Sequence, residues 1–409
     1  MPTSTLRLPA ALRSLRHRDF RLLWSGLIFS AVGTWMQIVA QSLLVLRLTR
    51  GSALALGLVS LAQAAAFFLF ALIGGGVADR LDRRKLLFVT QTVLLCLALL
   101  LGFLTRYGAI EVWMVILIAF LSGATLSFDQ PCRAALIASV VPRADLLNAI
   151  SLQSAVFNGA ATLGPALAGI AVERLGLDAN FFLNAFSYLA VLLALTFVRA
   201  PANVSGGSQP RFFDLIQQAL LTVRRDAVLP WLLVLLAVLL FCGPSLPLLL
   251  PVIALRNLHI GATSLGALFS AAGAGSILGA ILLASFPPDR SKSALFFLAL
   301  TLWSIALAVV GTSHWFGLTV MALVVFGLAQ SVVAIFTATL LQSRVGNEQR
   351  GRVMSLNTLL IMGVRPLGDF PAGAAISLFG APVTAVLSGL FVALAGLLLR
   401  WGRPALRSF

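Results

Sequence analysis

The chain has 409 residues, of which 60% are hydrophobic and only 10% charged, and its mean hydropathy is +1.01. Soluble domains carry roughly 25% charged residues, so a chain of this length could not cover itself in water; it reads as a polytopic membrane protein. The net charge of +16 does not point to nucleic acid, because the basic residues fall in short clusters between apolar stretches.

A spanning helix needs about 20 mostly apolar residues. Such segments fall at 20–46, 53–78, 86–105, 112–135, 148–172 and 180–198, then at 230–255, 262–285, 294–312, 315–341, 353–377 and 381–400. The basic N-terminus is followed by an apolar run of spanning length with no small-residue cleavage signature, so it reads as a first span rather than a removed leader. The predicted fold class is an all-α integral membrane protein, with twelve spans in two groups of six.

The most polar interval separates the groups. It opens PANVSGGSQP, a turn-rich linker, and continues FFDLIQQALLTVRRD, where Phe213, Ile216, Leu220 and Val223 recur at helical spacing. This predicts a basic amphipathic helix lying on the membrane surface. The expected divisions are an N-terminal half at 1–200, a linker at 201–229 and a C-terminal half at 230–409. The halves also look related: at an offset of 204 residues Gly75 falls on Gly279, Gly169 on Gly373 and Gly176 on Gly380, as a parallel repeat of six helices would give.

Orientation follows from Lys and Arg. One set of loops and tails holds 23 of them and the opposite set 5, with Arg365 left inside a span. The first set contains both termini and the linker, and it also takes in Arg133. Basic loops stay inside, so both termini are expected in the cytoplasm. A strong preference for Arg over Lys hints at a GC-rich bacterial genome and an inner-membrane address.

Chemistry is sparse. Cys96, Cys132 and Cys242 lie in or near apolar segments without metal-ligand spacing, so neither a disulfide framework nor a metal site is expected. His17, His259 and His314 lie in the N-terminal tail or loops without partners, and there is no GxxxxGK[ST]. An enzyme is not expected, and no cofactor is implied.

Several residues stand out within the spans. Gln37 and Gln41 share one face of the first span, Gln63 lies on the second, Gln153 and Asn158 on the fifth and Gln330 on the tenth. Each can simply hydrogen-bond a neighbouring helix; together they supply neutral donors and acceptors for a central cavity. Pro244, Pro247 and Pro251 break the hydrogen-bond ladder of the seventh span, which predicts a kinked or gating helix. Arg365 and Asp369, at i and i+4 in IMGVRPLGDFPAG, place a charge of each sign in the eleventh span. An uncompensated charge there costs roughly 2.5–3.5 kcal/mol. Two readings stay open: a structural ion pair, or a site for substrate or proton. The only acids within spans are Asp369 and Asp129.

Between spans two and three the sequence reads GGGVADRLDRRKLL. A positive-inside anchor explains Arg83, Arg84 and Lys85 but not Asp79 and Asp82. The stretch closely resembles the loop signature of the major facilitator superfamily, matching it at Gly75, Asp79, Arg80, Arg83 and Arg84; Asp82 stands where many members carry Gly. DFRLLWSGLIFSAVGTWM, FDQPCRAALIASVVPRADLLNAISLQS and GPALAG are similar to stretches of the branch that contains siderophore exporters and some macrolide efflux proteins. Gly164, Pro165 and Gly169 match the Gly-Pro motif of antiporters, with Ala168 replacing one Gly.

The resemblance implies two six-helix bundles around a cavity that opens alternately to either side. It also implies a conformational latch involving Asp79 and Arg83, with Asp129 the candidate partner of Arg83; otherwise Asp129 pairs with Arg133. The expected function is secondary active export of an amphipathic small molecule, a siderophore or drug-like compound, by proton-coupled antiport. A lysophospholipid or other lipid flippase of the same fold is the alternative, and a transport-dead sensor is disfavoured by the intact loop. The expected partners are a small-molecule substrate, protons and the lipid bilayer, for a chain working as a monomer without nucleic acid.

Overall fold

In lipid every backbone N–H and C=O needs a partner within the protein, which leaves helices as the answer for a chain with this apolar pattern. The computed structural model describes residues 10–199, 212–285 and 292–407, and for 10–11, 72–80, 212–216, 292, 347–348 and 355 it describes the helix path without side chains. The first six helices are α1 (Arg18–Leu48), α2 (Ala53–Arg80), α3 (Arg83–Arg106), α4 (Val112–Val140), α5 (Leu146–Leu175) and α6 (Leu177–Phe197). After α7 (Phe212–Arg224) come α8 (Leu229–Cys242), α9 (Leu246–Ile253), α10 (Ala262–Ala284), α11 (Lys292–Thr312), α12 (Phe316–Ser343), α13 (Asn347–Leu359) and α14 (Arg365–Gly402).

Eleven helical stretches among the described residues are long and apolar enough to cross a bilayer. The last, Gln349–Gly402, makes two crossings, because the chain reverses inside α14 at Gly380 (φ 87°, ψ 161°). Twelve crossings in two six-helix bundles result. The same reversal joins α5 to α6 at Gly176 (φ 94°, ψ 166°). These two glycines are the pair set against each other by the 204-residue offset. Their positive φ is a conformation that side chains with a Cβ enter only at a cost.

The seventh crossing is broken as its prolines predict. α8 stops at Cys242, Gly243–Ser245 is non-helical, α9 restarts at Leu246, and a π-helical turn follows at Ala254–Leu258. A second π turn, Leu360–Val364, links α13 to α14 just before Arg365. Pro366 cannot donate to the carbonyl four residues back, and the wider turn accommodates that gap.

Asp82, the departure from the family's loop pattern, is the N-cap of α3: its side chain accepts from Arg84 N at 2.9 Å and Lys85 N at 3.2 Å. Arg84 in turn donates from Nε to Leu195 O at 2.7 Å and from Nη2 to Thr196 O at 2.8 Å, covering the last carbonyls of α6. At the same end of the bundle Asp145 is buried and receives Arg13, Arg16 and His17, at 2.8, 2.7 and 2.8 Å. These contacts pin the 3-10 segment Ala10–Arg16 against the turn before α5. The first and last described residues and α7 share this end, called here the terminal end; the opposite one is the far end.

The linker helix α7 departs from a purely surface-bound arrangement. It packs against α13, buries Ala219 and Val223, and leaves Leu220 and Leu221 exposed. Just beyond it Asp226 caps α8 through the N–H groups of Val228 and Leu229, at 2.7 and 2.9 Å.

The two bundles meet at the far end. Thr263 N donates to Glu173 at 2.9 Å, and Leu54 N donates to Ser377 Oγ at 3.0 Å. Glu173 and Ser377 are themselves related by the 204-residue offset, so α5 grips α10 as the first arm of α14 grips α2. Gly169 and Gly373 sit inside these contacts, where a Cβ would meet the backbone of Ala262 and Ala53 respectively. Ser270 Oγ to Thr162 O at 2.6 Å and Arg256 Nη2 to Gly51 O at 3.0 Å add to the seam.

Candidate functional site

Between the bundles lies a cavity of about 640 Å³. Its wall comes mainly from α1, α2, α4, α5 and α6. The second half contributes Pro247 and Leu248 of α9 and Met362 of the π turn before Arg365. Helix pattern explains this bias: Ser30, Thr34, Gln37, Gln41 and Ser42 recur at helical spacing and turn one mixed face of α1 to the cavity. Gln63 of α2, Gln153 and Phe157 of α5 and Trp35 of α1 join that lining. Gln37 is held in place, since its Oε1 accepts Asn184 Nδ2 at 2.6 Å.

The lining contains one charged pair among the described residues, Asp129 and Arg133 of α4. Asp129 is 1% exposed. Its Oδ1 accepts Thr90 Oγ1 at 2.8 Å and Gln91 Nε2 at 2.6 Å, and its Oδ2 accepts Arg133 Nη2 at 2.6 Å. A carboxylate so enclosed is held by a charge-assisted bond and two neutral ones, which offsets the cost of burying it. Arg133, counted with the loops by its sequence position, is instead part of the cavity wall, because α4 continues to Val140 and leaves it well inside the helix. The surrounding polar side chains Thr90, Gln91, Tyr188 and Asn184 lie on α3 and α6. No local motif marks them, but Asp and Arg at i, i+4 in an apolar span were a legible sign.

The contact expected between Arg83 and Asp129 is not formed in this conformation, and Asp129 takes the alternative partner, Arg133. Asp129 does not reach Arg83: Gln91, which touches Asp129, lies eight residues along α3 from Arg83, about 12 Å of helix rise. Arg83 Nε is buried without a hydrogen-bond partner among the described residues, and Arg84 is committed to the end of α6. Gly75, Asp79 and Arg80 fall on the last turns of α2, where the side chains lie outside the described ones.

Of the two readings of Arg365 and Asp369, the direct ion pair is not formed. No ion pair closes between them within 4.0 Å. Asp369, 3% exposed, turns instead to the break in the seventh crossing, where its Oδ1 accepts Ser245 N at 2.9 Å. Ser60 of α2 faces the same carboxylate. Arg365 is half-buried one turn beyond Met362, and neither Arg365 nor Asp369 is part of the cavity lining.

The remaining expected residues divide. Gln37, Gln41 and Gln63 come together at the cavity. Asn158 is exposed on α5, one position past Phe157, and Gln330 is half-buried on α12; neither lines the cavity. Gly164 packs against Trp35 and Val32 of α1, while Pro165 and Gly169 face α10 across the bundles. No group of three or more potential metal ligands occurs among the described residues.

Comparison with known proteins agrees with this architecture. Residues 9–406 match the family model described as transmembrane secretion effector. Macrolide efflux protein A of Streptococcus pyogenes is 22% identical over 85% of this chain and 87% of its own. The staphyloferrin A transporter of Staphylococcus aureus is 24% identical over 88% and 90%, and the enterobactin exporter of Citrobacter koseri is 25% identical over 96% and 94%. Among solved structures, an inward-facing, occupied bacterial homologue of the lysosomal transporter Spinster superposes with a TM-score of 0.74 at 15% identity, over 96% of this chain and 99% of that one. The D-xylose–proton symporter gives 0.68 at 15% identity over 97% and 100%. These two show the fold. Twelve crossings, a cavity between two bundles and a family match over nearly the whole chain lead to one conclusion: this integral membrane protein belongs to the transmembrane secretion effector family of major facilitator transporters.

Proposed function

We propose that the chain exports an amphipathic small molecule by alternating access, driven by proton entry. The observation that carries this reading is the 640 Å³ cavity, whose wall is mostly apolar with neutral amides and a single charged pair. Such a wall suits a large molecule with an apolar body and a few polar groups, whereas a sugar needs a denser set of polar side chains. The relatives named for export of macrolides and siderophores fit the same class of cargo.

The terminal end is read as cytoplasmic, supported by the 23 to 5 distribution of basic residues, with the far-end seam then on the outside; an inner-membrane address in a bacterium is the reading the arginine-rich composition and the bacterial relatives support. In that orientation the conformation described is closed outward, ready to receive cargo from the cytoplasm. The acids available for proton coupling are Asp129, which shares the cavity wall, and Asp369, which bridges the eleventh crossing to the break in the seventh.

Flux from inverted membrane vesicles tests the proposal. A panel of siderophores, macrolides and amphipathic dyes is offered with and without a pH gradient. Accumulation that collapses when the gradient is dissipated is expected; uptake indifferent to the gradient would rule out antiport.

A further inference from the structure

The cavity's one charged pair is presented unequally. Asp129 has its two oxygens engaged by Thr90, Gln91 and Arg133 and is 1% exposed. Arg133 is 17% exposed at its side chain and spends a single N–H on Asp129. A guanidinium carries five donors, so most remain unspent among the described contacts. The same side chain lines a second, small hollow beside the cavity, shared with Trp24, Leu27 and Gln153. A cation entering the cavity therefore meets a guanidinium beside a carboxylate that is 1% exposed and already accepts three hydrogen bonds. An anion meets free donors at a low-dielectric wall, with no competing exposed acid among the described lining residues.

We infer that Arg133 is a cargo-binding residue that selects acidic amphiphiles, pairing with a carboxylate or similar anionic oxygen on the molecule carried. This rests on the reading of the cavity as the cargo site. Asp129 then serves as a positioning residue: it fixes the guanidinium plane through one N–H and leaves the other edge for the fork-like contact that arginine makes with oxyanions. The apolar wall takes the rest of the molecule.

Purified full-length protein in detergent is titrated with three xanthene dyes of matched size: one bearing a free carboxylate, its methyl ester, and a cationic analogue. Fluorescence anisotropy reads binding. The acid should bind tightest, and Arg133→Gln should weaken it about 10- to 100-fold, the range for a hydrogen bond to a charged group, while leaving the ester within about 2-fold. Because Arg133→Gln strands a buried carboxylate, the double variant Arg133→Gln, Asp129→Asn is measured beside it and should show the same loss. Asp129→Asn alone, whose amide oxygen can still accept from Arg133, should weaken acid binding by only part of the loss seen in Arg133→Gln. Preference for the cationic dye, or equal loss of all three dyes in the double variant, would overturn the assignment.

Vesicle flux of the same dyes separates the two claims. Selective binding without flux contradicts the export reading and spares the site; flux without charge preference does the reverse.

Discussion

Asp369 of the eleventh crossing accepts the backbone N–H of Ser245 at 2.9 Å, so a carboxylate on one helix caps the restart of another. The break in the seventh crossing leaves N–H groups with no partner in their own helix, and in lipid each would be costly. The acid that looked like an expensive anomaly in the sequence answers a deficit created by Pro244 more than a hundred residues earlier.

Asp369→Ala should therefore lower the thermal midpoint in detergent, because it leaves a buried donor unpaired at a cost of about 1–3 kcal/mol. Asp369→Asn keeps an oxygen acceptor and should remain near wild type in the same melt. If Asp369 also carries the coupled proton, Asp369→Asn will in addition lose gradient-driven flux while retaining cargo exchange. Equal loss of both fluxes in a stable Asp369→Asn protein would confine the residue to its structural role.

Glu173 joins α5 to the start of α10 across the bundles, where its offset partner Ser377 joins the other pair of helices. Glu173→Ala should weaken the seam and populate a form open at the far end. A cysteine placed at Ser270, beside the α5–α10 contact, should then be labelled by a membrane-impermeant maleimide from that side at least about 10-fold faster, the equivalent of roughly 1.4 kcal/mol. An unchanged labelling rate would mean that the Glu173 contact contributes little to closure.

Gly176→Ala and Gly380→Ala should destabilise by similar amounts, each about 1–3 kcal/mol, since both force a Cβ into a positive-φ, extended-ψ conformation that is essentially glycine's alone. Thermal melts of the two variants provide the check. A large difference between them would show that the halves do not use these turns in the same way.

The sequence and the structure agree where one strong term decides. Apolar length located the crossings, because the bilayer enforces it. The offset set Gly176 against Gly380 correctly, because a positive φ restricts the residue at both turns. What escaped depended on non-local geometry. The pairing of Asp129 with Arg133 was open to sequence, but Arg133 was counted with the loops, whereas α4 runs on to Val140 and draws it into the cavity wall. Asp369 read either as an ion-pair partner of Arg365 at i+4 or as a substrate or proton site, and its carboxylate faces a backbone donor on another helix. Sequence spacing could not reveal that preference, since it arises only when the broken seventh crossing packs beside the eleventh. Asn158 and Gln330 have the right chemistry for a lining but are not among the residues that line the cavity, and a polar side chain in a span does not itself announce how deep or on which side the cavity will lie.

The most direct test of the account is to lock the far-end seam. Leu54→Cys and Ser377→Cys are introduced together, with Cys96, Cys132 and Cys242 replaced by Ala, and joined by a short bis-maleimide. The cross-linked protein should still bind cargo from the terminal end yet carry none across, whereas the same double-cysteine protein left unlinked should transport. Undiminished flux through the cross-linked protein would contradict alternating access through this cavity.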